Sequence, residues 1–273
     1  MRIDSHQHFW RRDRGDYTWL TPQLSAIYRD YLPTDLEPQL AACGISRTVL
    51  VQAAATTAET HFMLGLAREN PFIAGVVGWV DFENADAPAQ IAALANEPLL
   101  VGLRPMIQDI PDTGWMLRAN LAPAFEAMIE HDLVFDALVK PPHLRALLEL
   151  ARRHPQLRMV LDHGAKPPIA SGDVTEWKRG VAALAEHTTM VCKLSGLVTE
   201  AGSAEPAQLA DCVDHLLQCF GPARMLWGSD WPVCELVCTY AKWHSVTDQL
   251  LSRLGTDDRE WIFSGTARKT YGI

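Results

Sequence analysis

Short runs of β-branched and apolar residues recur along the 273-residue chain, each followed by a stretch with apolar positions three and four residues apart. Eight such runs lie at 2–8, 48–52, 74–80, 101–106, 134–139, 159–163, 190–194 and 225–230. The stretches at 34–38, 58–69, 89–95, 121–130, 143–153, 177–186, 207–219 and 236–254 have the periodicity of helices that cover a sheet. Eight strand-then-helix repeats predict one α/β domain over 1–273, a single (β/α)8 TIM barrel. A doubly wound open sheet is the competing architecture, but the first run leads into HisPheTrpArgArg, not a glycine-rich turn. Neither G-x-G-x-x-G nor G-x-x-x-x-G-K-[ST] occurs, so no nucleotide cofactor is expected.

In such a barrel the carboxyl ends of all eight strands converge on one face, where distant segments can meet. Polar or ionisable residues stand at most of these ends: His6 and His8, Gln52, Arg104, His163 and Asp230. A bare H-x-H is usually a surface pair. At the end of a first barrel strand, however, the two rings share a face roughly 6.5–7 Å apart along the backbone and can converge on one ion or oxygen. Gly164 after His163 permits a sharp exit from the strand, and Gly228 leaves space inside the barrel two residues before Asp230. Asp162 is expected to face the helix layer. Arg104 reads as orienting a substrate or as paired with Asp109 or Asp112. Lys193 and Ser195 share a face whose direction stays open, and Trp115 and Trp231 favour packing. The other seven histidines fall in or beside helical stretches as surface or capping residues. The long first connection carries Trp10, Tyr17, Trp19, Tyr28 and Tyr31, a density suited to walling a pocket mouth.

Charge narrows the partners. With 24 Lys+Arg against 33 Asp+Glu the formal net charge is −9, which disfavours nucleic acid and anionic membrane surfaces. The first residues carry no signal-peptide pattern, no apolar run approaches membrane-spanning length, and the six cysteines lack C-x-x-C spacing. A cytoplasmic location with buried free thiols is therefore expected. No G-x-S-x-G elbow supplies a serine nucleophile. Oligomerisation stays open.

AspSerHisGlnHisPheTrp, ValGlyLeuArgPro, LeuAspHisGlyAlaLysPro, LysLeuSerGly and TrpGlySerAspTrpPro, in this order, resemble the amidohydrolase superfamily, and within it the amidohydrolase-2 group of sugar lactonases and 2-pyrone-4,6-dicarboxylate lactonase. The resemblance implies a metal-dependent-hydrolase-type barrel that opens a small neutral aldonolactone such as L-fuconolactone or L-rhamnonolactone. It also implies that His6, His8 and His163 polarise the carbonyl and that Asp230 activates water. The fifth and seventh runs lack the histidines of binuclear members, so at most one divalent ion, zinc by ligand type, is implied at His6, His8, His163 and Asp230, dispensable for turnover. Trp10, Tyr31 and Trp115 would border the sugar ring, Gln52 would meet its hydroxyls, and Arg104 would orient it. A non-oxidative decarboxylase of the same superfamily is the alternative. A non-catalytic sugar-binding barrel is the reading from another class.

Overall fold

The computed structural model describes residues 1–273. Its strands are β1 (Arg2–Gln7), β2 (Ile45–Val51), β3 (Ile73–Gly78), β4 (Leu100–Leu103), β5 (Val134–Ala137), β6 (Met159–Leu161), β7 (Val191–Leu194) and β8 (Met225–Trp227). They lie in sequence order and every neighbouring pair is parallel, so the barrel read from the sequence is the observed fold. The two ends of the sheet meet where Asp230 N–H donates to His6 O (2.8 Å) and His8 N–H donates to Trp231 O (2.7 Å). Helices α1 (Pro33–Cys43), α2 (Thr57–Glu69), α3 (Ala87–Leu94), α4 (Ala122–Glu130), α5 (Leu144–Arg153), α6 (Thr175–His187), α7 (Leu197–Ala201), α8 (Pro206–Phe220), α9 (Tyr240–Leu250), α10 (Thr256–Glu260) and α11 (Thr266–Tyr271) occupy the connections and the C-terminus. None is long and apolar enough to cross a membrane.

The barrel interior is layered. Ile3, Val49, Val51, Val77, Val134, Val160 and Leu226 form an apolar layer closed by Ala267 and Tyr271 of α11. Each such fully buried side chain contributes roughly 1.5–3 kcal/mol relative to exposure. Above it the interior turns ionic. Tyr271 is the junction, because its hydroxyl donates to Asp136 Oδ2 at 2.8 Å.

Several strands end earlier than their hydrophobicity predicts: β4 at Leu103, β5 at Ala137, β6 at Leu161 and β8 at Trp227. The residues beyond remain buried but leave the ladder, so the candidate site rests on turns at the strand ends. The last expected helix is shorter too. A 3-10 turn at Val233–Leu236 precedes α9, which starts only where the Thr239 hydroxyl accepts Lys242 N–H at 3.2 Å. All six cysteines are free as expected, although Cys43, Cys219 and Cys238 are only half-buried.

Candidate active site

His6 and His8 project from the same face of β1, and their Nε2 atoms lie 3.2 Å apart. Gly228 makes this possible, because a Cβ there would stand 2.6 Å from His6 Cβ. On β6 the inward positions are Val160 and Asp162, so simple alternation would send His163 outward. Instead His163, Gly164, Ala165 and Lys166 all adopt left-handed φ (52°, 55°, 61° and 52°), which swings the imidazole into the mouth. Asp162 consequently points into the barrel and not, as expected, toward the helices; it is fully buried against Arg104, Lys193 and His6. Asp230, also left-handed at φ 57°, presents its Oδ1 3.2 Å from His8 Nε2, 3.7 Å from His6 Nε2 and 3.9 Å from His163 Nε2.

Each imidazole is oriented from behind. His8 Nδ1–H donates to Val51 O at 2.7 Å, which leaves the Nε2 lone pair toward Asp230. His163 Nδ1 lies 2.8 Å from Ser195 Oγ, a hydroxyl able to donate or accept. His6 Nδ1 lies 3.2 Å from Lys193 Nζ. Burial drives His6 well below the ordinary imidazole range, with the Lys193 charge adding to the effect. Burial likewise lowers His163 to about 4, against the opposing pull of Asp230, so both rings are neutral at pH 7. Burial alone would raise Asp230, but the His163, His8 and His6 rings that face it outweigh this and hold the carboxyl well below the usual carboxylate range. Asp230 is therefore ionised at neutral pH.

Beneath these groups lies a buried chain of charges. Lys193 Nζ touches Asp136 Oδ2 (2.5 Å) and Asp162 Oδ1 (3.0 Å), and Arg104 Nη1 donates to Asp162 Oδ2 (3.1 Å). Burial pushes Asp136 up to about 6 despite Lys193. Burial acts on Asp162 in the same sense, but Lys193 first, then His6 and Arg104, keep it well below the usual range. The partner of Arg104 is thus Asp162, not Asp109 or Asp112; Asp112 pairs with Arg118 at 2.8 Å. Sequence reasoning left the direction of Lys193 and Ser195 open and passed over Asp136. The usable signal was a charge inside each of two apolar runs, ValPheAspAlaLeuVal and ValCysLysLeuSer.

His6 Nε2, His8 Nε2 and Asp230 Oδ1 lie 3.2 to 3.7 Å from one another, while His163 Nε2 stands 3.9 Å from Asp230 Oδ1 and falls outside that group. Bonds of about 2.0–2.1 Å to one tetrahedral ion place ligand atoms roughly 3.3 Å apart. By residue type and spacing His6, His8 and Asp230 fit one divalent cation. Three carboxylates (Asp136, Asp162, Asp230) against two cations (Lys193, Arg104) also leave local negative charge for it.

A cavity of about 220 Å³ opens over this floor, lined by His8, Arg104, His163 and Asp230, with Trp19, Ala53, Met106, Gln108, Asp109, Leu138, Lys166, Thr199 and Val233 around them. His6 does not reach it; the ring is fully buried behind His8 and Asp230. Trp10, Tyr31, Gln52 and Trp115 do not line it either. Trp10 and Tyr31 exchange backbone hydrogen bonds of 3.0 Å that pin the first loop shut, and their rings pack edge to face at 5.3 Å inside it. Only Trp19 of those five aromatics faces the cavity, held by its Nε1–H to Ala53 O at 2.7 Å. Trp115 packs against Phe82. Gln52 is structural: its side-chain Nε2–H donates to the Arg104 backbone O at 2.6 Å, while its backbone carbonyl accepts from Arg104 Nη2.

A parallel eight-stranded barrel with imidazoles and a carboxylate gathered at its carboxyl rim defines the hydrolase class of barrel enzymes. The chain belongs to the amidohydrolase family, matched over residues 3–273. It is 48% identical to an L-fucono-1,5-lactonase of Burkholderia ambifaria, covering 100% of this chain and 96% of that one. Identity to an L-fucono-1,5-lactonase of Burkholderia multivorans is 36%, with the same coverages. Among solved structures, an amidohydrolase from Burkholderia multivorans with bound zinc superposes with a TM-score of 0.94 at 37% identity, covering 100% of this chain and 99% of that one. A 5-carboxyvanillate decarboxylase from Sphingomonas paucimobilis, 14% identical with a TM-score of 0.68, shares the fold.

Proposed function

We propose that this protein hydrolyses L-fucono-1,5-lactone or a close aldonolactone to the open aldonic acid. The observation that carries the reading is an ionised Asp230 facing the cavity between His8 and His163, with Arg104 beside it, in a chain 48% identical to an L-fucono-1,5-lactonase. Asp230 takes a proton from water as the oxygen attacks the lactone carbonyl carbon. Arg104 and His163, the latter presenting Nε2–H when Ser195 donates to Nδ1, hydrogen-bond the developing oxyanion. As the ring C–O bond breaks, Asp230 returns the proton to the departing ring oxygen. His6, which does not face the cavity, supports His8 and Asp230 from behind. A divalent ion, zinc by ligand type, would be held by His6, His8 and Asp230 and would supply Lewis-acid polarisation of the carbonyl.

The charge of the cavity supports a neutral substrate. Its second cation, Lys166, is engaged by Glu200 at 2.6 Å, and Asp109 adds a carboxylate, so no surplus positive charge awaits a dicarboxylate. The decarboxylase reading rests only on a distant likeness of fold. The test is a pH-indicator screen of aldono-1,4- and 1,5-lactones, with and without chelator, on wild type and Asp230→Asn. Wild type should turn over the 1,5-lactone with chelator present, and Asp230→Asn should lose on the order of 10²–10⁴-fold in kcat. A variant as fast as wild type would remove Asp230 from the mechanism. Activity abolished by chelator and restored by zinc would make the ion essential.

A further inference from the structure

Arg104, Asp109, Lys166 and Asp230 are the charged side chains that line the cavity, and three of them already have partners. Arg104 donates Nη1–H to Asp162 Oδ2 at 3.1 Å and Nη2–H to Gln52 O, Lys166 Nζ pairs with Glu200 Oε1 at 2.6 Å, and Asp230 Oδ1 lies 3.2 Å from His8 Nε2. Asp109 is exposed and forms no ion pair; its carboxylate meets only a long 3.4 Å hydrogen bond from Gln108 Nε2–H. The backbone nevertheless fixes it. Asp109 ends a 3-10 turn, Ile107–Asp109, that follows β4. Its own N–H donates to Met106 O at 3.1 Å, Gln108 N–H donates to Leu138 O at 3.0 Å beyond the end of β5, and Ile107 is fully buried. The carboxylate caps nothing, in contrast to Asp112, which accepts Gly114 N–H at 2.9 Å and pairs with Arg118 at 2.8 Å. Thr199, on the same cavity wall, donates its hydroxyl to Gly196 O at 2.7 Å and so has only lone pairs left to offer. Asp109 and Thr199 therefore both present acceptors. A hydroxyl on a bound ring supplies the donor they lack, whereas a carboxylate supplies none and adds a like charge.

We infer that Asp109 is a specificity-determining residue: its unpaired carboxylate accepts hydrogen bonds from the hydroxyls of a neutral aldonolactone and turns away lactones that carry a further carboxylate. The inference rests on the lactonase reading and adds the residue that makes the choice. Like charges roughly 5 Å apart in a partly screened mouth repel enough to weaken binding on the order of tenfold.

The experiment measures competitive inhibition of the hydrolysis of a neutral aldono-1,5-lactone by D-glucono-1,4-lactone and by D-glucaro-1,4-lactone, which differ in carrying a hydroxymethyl group or a carboxylate at C6. Wild type, Asp109→Asn, Asp109→Lys and Asp112→Asn are compared at pH 7, with folding checked by circular dichroism. In wild type the carboxylated lactone should bind about tenfold or more weakly than the neutral one, and added salt should narrow the gap. Asp109→Asn should reduce the ratio of the two inhibition constants to about two- or threefold, Asp109→Lys should reverse the preference, and Asp112→Asn should leave the ratio as it is. A ratio that survives in Asp109→Asn overturns the inference, as does an equal change in Asp112→Asn, which would trace the selection to the general field of an acidic protein. Wild type that hydrolyses no aldonolactone overturns the lactonase reading and the inference with it; hydrolysis with a wild-type ratio near one overturns the inference alone.

Discussion

Replacing Gly228 with alanine should cripple the site while leaving the barrel folded. The new Cβ would lie 2.6 Å from His6 Cβ, 3.1 Å from His6 N and 3.3 Å from His6 Cα. All three contacts are with backbone or the root of the side chain, so no rotamer change relieves them. Ordinary contact begins near 3.4 Å; the exit of β8 and the end of β1 must therefore separate by about 0.8 Å, at an overpacking cost of about 1–3 kcal/mol. The same two segments are tied by Asp230 N–H to His6 O at 2.8 Å, so the separation acts directly on the carboxylate–imidazole geometry. A displacement near 1 Å at reacting groups costs on the order of 10²-fold in rate. Lactone hydrolysis followed by indicator dye, beside thermal unfolding by circular dichroism, should show kcat/KM down about a hundredfold with the spectrum retained and the Tm lower by several degrees. Gly255→Ala, where a Cβ meets nothing within 4 Å, serves as the control and should change neither. If Gly228→Ala keeps more than half of the wild-type rate, the packing of His6 against β8 does not set the geometry of Asp230.

Two further perturbations address the supports of the site. Ser195→Ala removes the 2.8 Å partner of His163 Nδ1 and should lower kcat about 10- to 100-fold with a small change in KM, as read by steady-state kinetics; an unchanged kcat would mean that α7 and Gly196 alone hold the ring. Glu59 accepts Ala53 N–H (3.1 Å) and Ala54 N–H (2.7 Å) beneath the cavity wall, and burial raises it from the ordinary 4.5 to about 7. The folded protein therefore holds that proton more tightly than the unfolded chain. The resulting stabilisation is complete below about pH 4.5 and is lost as pH rises through 7, amounting to about 3 kcal/mol. Urea titrations at pH 5 and pH 8 should show wild type losing more stability over that interval than Glu59→Gln, and equal losses would contradict the burial argument.

The fold was legible because short β-branched and apolar runs and period-3.6 stretches alternate without interruption, and a strand-end argument then singles out His6, His8, Gln52, Arg104, His163 and Asp230 without coordinates. Parity was less informative, since it states which residues share a face but not which face turns inward. Lys193 and Ser195 stayed undecided for that reason. Asp162 was misplaced because His163 was assumed to point inward by alternation, whereas the left-handed backbone after β6 lets both neighbours face the interior. The aromatic loop failed differently. Composition cannot separate Trp19, which walls the cavity, from Trp10 and Tyr31, which close the loop on itself, because that division depends on the backbone pairing of Trp10 with Tyr31.

That left-handed turn also shows where the site draws its rigidity. His163, Ala165 and Lys166 are non-glycine residues at positive φ, and each such residue costs about 1 kcal/mol or more. The conformation persists because the helix layer fixes it at several points. Trp177 of α6 donates Nε1–H to Gly164 O at 2.6 Å, Lys166 pairs with Glu200 of α7 at 2.6 Å, and Leu216 of α8 packs where a side chain on Gly164 would have to go. The imidazole facing Asp230 is thus held in place by three helices outside the barrel as well as by its own strand. Truncating Trp177 to phenylalanine tests this arrangement remotely: it keeps an aromatic ring, removes the indole N–H together with part of a fully buried side chain at a cost of about 2–4 kcal/mol, and touches nothing in the cavity. A fall in kcat larger than the loss of stability would show that the turn transmits the change to His163. A stability loss with unaltered kcat would show that Ser195 and Glu200 suffice to hold it.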